Sequence, residues 1–175
     1  MILDLARLFL FPALMAFAAS SDLFTMTISN RVSVLLVAGF SVMAVLTGMP
    51  LAAIAMHLGA GLSVLVVAFG CFAMGWIGGG DAKVASAAAL WFGFDYLLPY
   101  LVYASLFGAA LTFLMMEFRA WPLPYALGSQ RWLLRLHAKD SGIPYGIALA
   151  IGALMIYPET EWITAVDLTR LVGRF

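Results

Sequence analysis

The sequence predicts an all-α integral membrane protein, a polytopic bundle of about six transmembrane helices. Two observations carry this. Apolar residues make up 65% of the chain and charged residues only 10%, with a mean hydropathy of +1.04, whereas soluble domains hold about 45–50% and about 25%. The apolar residues also fall into stretches of spanning length, separated by glycine, proline and charge. Nine basic and nine acidic side chains could not cover a water-facing surface on 175 residues. That length suits a single membrane-embedded domain over 1–175, with the lipid bilayer as its principal partner. A net charge of zero points to no nucleic-acid partner. The lone Cys71 makes neither an intrachain disulfide nor a thiolate zinc site, and its apolar setting suits helix packing. The sequence suggests no metal site and no cofactor.

The spans are expected at about 5–21, 32–48, 51–77, 83–97, 99–117 and 143–157, with a loop over 118–142. The first ends at Ser20-Ser21-Asp22. Its Arg7, apolar run and Ala16-Phe17-Ala18 resemble a signal peptide, but Asp4 sits in the would-be basic region, so the segment is read as a retained span. Ser29 or Asn30 suits the cap of the second span, and Thr47-Gly48-Met49-Pro50 is a turn. The third span closes on Gly78-Gly79-Gly80. From Val84 to Met116 the apolar run is too long for one crossing, about 50 Å as helix against a core of about 30 Å, so Asp95 and Pro99 are read as the bend of a hairpin. Its first arm, Val84 to Phe94, reaches only about 16 Å. Asp81, just before it, is therefore expected at membrane depth, where irregular backbone survives only against protein or a water-filled cavity. Gly142-Ile143-Pro144-Tyr145-Gly146 opens the last span, and the tail after Tyr157 is expected to include a short interfacial helix.

Odd-numbered loops hold Arg31, Lys83, Arg119, Arg131, Arg135 and Lys139, while the other face holds Arg7, Arg170 and Arg174. The positive-inside rule makes the odd loops cytoplasmic. Asp22 follows the first span and Asp81 the third, so both face that side and are free to meet.

Charges near hydrocarbon are expensive, and the default reading of one there is functional. Two carboxylates a few ångströms apart share a proton. The ionised member can then draw a proton from water while its partner protonates the substrate. The glycines before Asp81 permit close approach of a substrate backbone. Plainer readings stand beside this one. Asp81 would serve as a helix N-cap, Asp22 as an interfacial residue, and Lys83 as a topogenic charge or a partner for Asp81.

Gly78-Gly79-Gly80-Asp81 is a G-x-G-D motif, and its extension through Ala82-Lys83 resembles that of the type IV prepilin peptidases. In that family the first aspartate precedes an Ile/Pro-Asn segment; here Asp22 precedes Ile28-Ser29-Asn30-Arg31, with Ser29 where proline is usual. Ile143-Pro144-Tyr145-Gly146 is similar to the family's Pro-Tyr/Phe-Gly turn. The matches run in order from residue 20 to residue 154. With a single cysteine and no paired C-x-x-C loop, the chain resembles the short Tad/Flp-pilus, CpaA-like type, which implies cleavage without N-methyltransferase activity. The resemblance implies Asp22 and Asp81 as the catalytic pair, with Gly78, Gly80, Lys83, Asn30, Pro144 and Gly146 as substrate-binding or site-shaping positions. It also implies a prepilin or pseudopilin substrate and a bacterial inner-membrane location with a cytoplasm-facing site.

Other functions remain open on the residues. A preflagellin-type peptidase shares the motif, whereas a presenilin-like enzyme would carry tyrosine where Ser21 stands. A small transporter or assembly protein would use the carboxylates for proton binding, although no internal repeat is visible. His57 is expected at the interface away from both aspartates, His137 in solvent, and Glu117 paired with Arg119. Trp76, Trp91, Trp121 and Trp132 suit interfacial belts, the methionines helix contacts, and the basic residues of 118–142 topology or anionic lipid.

Overall fold

The computed structural model describes residues 1–124 and 129–166, and among them every regular element is helical. The helices are α1 (Ile2–Thr25), α2 (Asn30–Leu46), α3 (Leu51–Ala73), α4 (Gly79–Ala120), α5 (Arg131–His137), α6 (Tyr145–Ile156) and α7 (Glu161–Thr164), with a 3₁₀ turn over Tyr157–Glu159. Three of them, α1, α3 and α4, are long and apolar enough to cross a membrane, and α2 and α6 are shorter apolar helices. The protein is an all-α membrane bundle. Asp167, Arg170 and Arg174 lie outside the described residues.

Helix ends follow local chemistry that hydropathy does not register. Ser29, not Asn30, caps α2, its Oγ accepting from the Arg31 N–H at 3.3 Å. Both α2 and α3 stop on a left-handed glycine, Gly48 at φ 66° and Gly75 at φ 75°. The paired closing bonds are Met49 N–H to Ala44 with Gly48 N–H to Val45, and Trp76 N–H to Cys71 with Gly75 N–H to Phe72. This Schellman closure ends α3 at Ala73 rather than at the expected Ile77. At the other extreme, α1 runs past the expected residue 21 to Thr25, so Asp22 lies within the helix instead of following it.

The long run from 79 to 120 does fold into two arms, but the bend is Gly93, not Asp95 or Pro99. Gly93 takes φ 61° and ψ −170°, which a residue with a Cβ avoids. Pro99 is carried inside the second arm. Packing gives the direction of each arm. Gly80 begins the first arm against Ile28, in the α1–α2 loop, and Gly93 ends it against the His57 ring. The second arm returns alongside α6, with Ala104 on Gly152 and Gly108 on Tyr145, and Tyr96 Oη donates to the Glu159 carbonyl at 2.9 Å. The first arm, residues 79–92, is then about 21 Å long and α6 about 18 Å, each short of a core of about 30 Å.

The break strands carbonyls whose partners would have lain four residues on. His57 Nδ1 donates to the Leu90 carbonyl at 2.8 Å, and Trp162 Nε1 to the Trp91 carbonyl at 2.8 Å. His57 therefore stands away from the aspartates as expected, near the start of α3, and from there it caps the broken helix. Trp91 departs from the belt expected of it. It is fully buried, its Nε1 donates to the Leu36 carbonyl at 2.9 Å, and its ring lies 5.1 Å from Phe11. Phe11 in turn stacks on Tyr157 at 4.6 Å, and this aromatic cluster fills the half of the bundle around the Gly93 end. Trp76 and Trp121 are exposed.

Candidate active site

At the other end of the bundle, α1, α4 and α6 bring their chemistry together. Asp22 occupies the last turn of α1 and is 5% exposed. Its Oδ2 accepts the Gly146 N–H at 2.7 Å, across 124 residues of sequence. Gly146 is the second residue of α6, where backbone N–H groups have no partner within the helix. Pro144, buried, caps that helix. A Cβ at residue 146 would stand 2.9 Å from Asp22 Oδ2, 3.0 Å from Asp22 Cβ and 2.8 Å from Ile28 Cδ1. Only glycine allows the amide this close.

Asp81 is the third residue of α4. Its carboxylate stands beside Gly78, the helix N-cap, and within electrostatic reach of Asp22. The N-cap of α4 is Gly78 rather than Asp81, so Asp81 lies in the first turn, where a negative charge suits the helix N-terminus. A Cβ on Gly78 would come within 2.8 Å of Asp81 Oδ2. The described ion pairs involve only Asp4, with the N-terminus and Arg7.

Lys83 does not neutralise Asp81. Its Nζ donates to Asn30 Oδ1 at 2.9 Å, because residues two apart on a helix face different sides. That bond joins the start of α2 to the start of α4. The positions named from sequence thus assemble at one end of the fold: Asp22, Asn30, Gly78, Gly80, Asp81, Lys83, Pro144 and Gly146. Ile28 belongs to the Ile28-Ser29-Asn30 match but is not among the site positions the sequence names. It sits as a wedge between Gly80 and Gly146, its Cβ 3.3 Å from the place a Gly80 Cβ would take. The signal was available, since the residue lies between the Asp22 and Asn30 markers.

The described residues on either side of 125–128 make specific hydrogen bonds that hydropathy does not register. Arg119, expected to pair with Glu117, donates instead to the Leu136 and Gly142 carbonyls and to Ser141 Oγ. Arg135 donates to the Phe24 and Thr25 carbonyls at the end of α1. His137 is not free in solvent: its Nε2 bonds the Trp121 carbonyl at 2.8 Å. A cavity of about 460 Å³ lies at the Gly93 end, lined among others by Arg7, His57 and Asp95, and neither Asp22 nor Asp81 borders it.

A helical membrane bundle holding two carboxylates at one end, one of them against a backbone amide, defines a class, that of intramembrane proteins with a polar, acid-bearing site. The chain belongs to the type IV leader peptidase family, whose pattern matches residues 9–113. It is accordingly a membrane peptidase. The match includes Asp22 and Asp81 and ends before Pro144 and Gly146. No curated protein and no solved structure matches the chain.

Proposed function

We propose that this protein is an intramembrane aspartyl endopeptidase of the short Tad/Flp-pilus, CpaA-like type, removing the leader of a prepilin or pseudopilin with Asp22 and Asp81 as its working pair. The observation that carries the reading is the convergence of the two aspartates, within electrostatic reach of each other, with Asp22 held by the Gly146 amide. Two such carboxylates act as one proton-sharing unit. The ionised member takes a proton from water as the water oxygen bonds to the scissile carbonyl carbon. The protonated member gives its proton to the carbonyl oxygen. Collapse of the tetrahedral intermediate breaks the C–N bond, and the departing amine receives a proton from the pair. The reaction needs no covalent enzyme intermediate.

The excess of basic residues in the odd loops supports a cytoplasm-facing site, and the resemblance to the prepilin peptidases implies a bacterial inner membrane. Substrate would present a leader on that side and an apolar helix within the bilayer. Asn30, Lys83 and the glycines at 78 and 80 shape the approach. The absence of a second cysteine favours cleavage without N-methylation.

Co-expression with a candidate prepilin tests this directly. Wild type should remove the leader, and Asp22→Asn and Asp81→Asn should each leave it in place. Wild-type processing by either variant would sink the pair as the catalytic machinery. Processing of a preflagellin but of no prepilin would reassign the substrate and keep the chemistry.

A further inference from the structure

The contact between Gly146 and Asp22 depends on where the chain enters α6, and that entry is held from α4. Arg119 sits one residue before the end of α4 and is half-buried. Its Nε donates to the Leu136 carbonyl at 2.8 Å. Its Nη2 donates to Ser141 Oγ at 2.9 Å and to the Gly142 carbonyl at 2.7 Å. Ser141 Oγ donates onward to the Ala138 carbonyl at 2.8 Å. One guanidinium therefore ties the last turn of α5 to the turn that leads into Pro144-Tyr145-Gly146.

A second tie lies on the same side of α4. Thr112 Oγ1 and Tyr145 Oη are 2.9 Å apart, and the Tyr145 ring lies against Gly108. The far side of α5 is anchored as well, since Arg135 reaches the orphan carbonyls at the end of α1, 3.0 Å at Thr25, and Trp132 meets Phe24 edge-on at 5.4 Å. The helix bearing Asp22 and the segment bearing Gly146 are thus joined by one clamp, with Arg119 as its centre. The acceptors of Arg119 are all neutral, so the fork-shaped array of donors, rather than its charge alone, fits the task.

We propose that Arg119 is a positioning residue for the active site: it fixes the segment 141–146 so that the Gly146 amide meets Asp22. The inference rests on the proposed function and adds to it the part played by the loop between α4 and α6. Arg119 touches neither aspartate and acts through the backbone.

The test uses the full chain, purified and returned to lipid, as wild type, Arg119→Gln, Arg119→Lys and Asp22→Asn. Leader-removal kinetics on a prepilin are read beside amide hydrogen exchange over 141–150 and, as reference, over α3. Arg119→Gln should lower kcat by about 10- to 100-fold, the cost of a misplaced catalytic group, and leave KM within about twofold, the split expected when an interaction needed only in the transition state is lost. Exchange should quicken over 143–147 and stay unchanged in α3. Arg119→Lys, keeping a donor but losing the fork, should fall between. Wild-type kcat and exchange in Arg119→Gln would overturn the proposal, and so would exchange raised equally in α3, which marks general loosening. If Asp22→Asn keeps the wild-type rate, the proposed function itself fails. If Asp22→Asn is inactive while Arg119→Gln cleaves normally, only the positioning role falls.

Discussion

Adding one methyl group at residue 146 is the sharpest perturbation the site allows. In Gly146→Ala the new Cβ would stand 2.8 Å from Ile28 Cδ1, 2.9 Å from Asp22 Oδ2 and 3.0 Å from Asp22 Cβ. Carbon contacts are comfortable at about 3.5–4.0 Å, so gaps must open by roughly 0.5–1 Å. Ile28 Cδ1, at the end of a flexible side chain, can yield. Asp22 Cβ is bound to the α1 backbone and cannot move without the helix. Rotation of the carboxylate relieves only the oxygen contact, so the separation is made by α6 moving away from α1, and that lengthens the 2.7 Å bond from the Gly146 amide. Overpacking of this kind costs about 1–3 kcal/mol of stability, and a displacement near 1 Å at a catalytic group costs up to about a hundredfold in rate. The assay is leader removal per folded molecule, with thermal unfolding in the same lipid mixture. Gly70→Ala is the matched control, because nothing lies within 4 Å of its Cβ and alanine favours a helix interior by about 0.5–1 kcal/mol. If Gly146→Ala cleaves at the wild-type rate, Gly146 does not hold a working aspartate and the assignment of the site is wrong.

Three further outcomes test the scaffold. Gly93→Ala should be destabilising by at least about 1–3 kcal/mol from backbone strain alone, with the His57 ring 3.1 Å from the new Cβ adding to it; an unchanged melting temperature would refute the hinge. His57→Phe should leave the Leu90 carbonyl without its donor at a cost of about 1–3 kcal/mol and, being at the opposite end from Asp22, should not change leader cleavage per folded molecule. Gly152→Ala places a Cβ 2.6 Å from the Ala104 backbone nitrogen, which no side-chain movement relieves, so the second arm and α6 must part and folded yield should drop sharply; a normal yield would argue against that close helix crossing.

Much of this was legible in the residues. The fold class followed from hydropathy, and the hairpin from an apolar run too long for one crossing. Each is a sum over neighbours in sequence. The bend was placed at Asp95 and Pro99 because charge and proline are conspicuous, yet Gly93 took it, since the reversal requires a backbone angle that only glycine adopts readily. The end of α3 was missed for a similar reason: Gly75 stops the helix through two backbone bonds, while the residues on either side of it remain apolar.

The parity of the loops placed both aspartates on one side, and the motif pattern named Asp22, Asp81, Gly78, Gly80, Asn30, Lys83, Pro144 and Gly146. Charge counts and motif order are properties of the chain alone. Which groups touch was decided by tertiary packing. Lys83 turned to Asn30 rather than Asp81, Ile28 wedged between two glycines of different helices, and Arg119 spent its donors on a distant turn instead of on Glu117. Above all, the amide that meets Asp22 comes from 124 residues away. Its position is set by how closely α6 can approach α1, which no local pattern encodes.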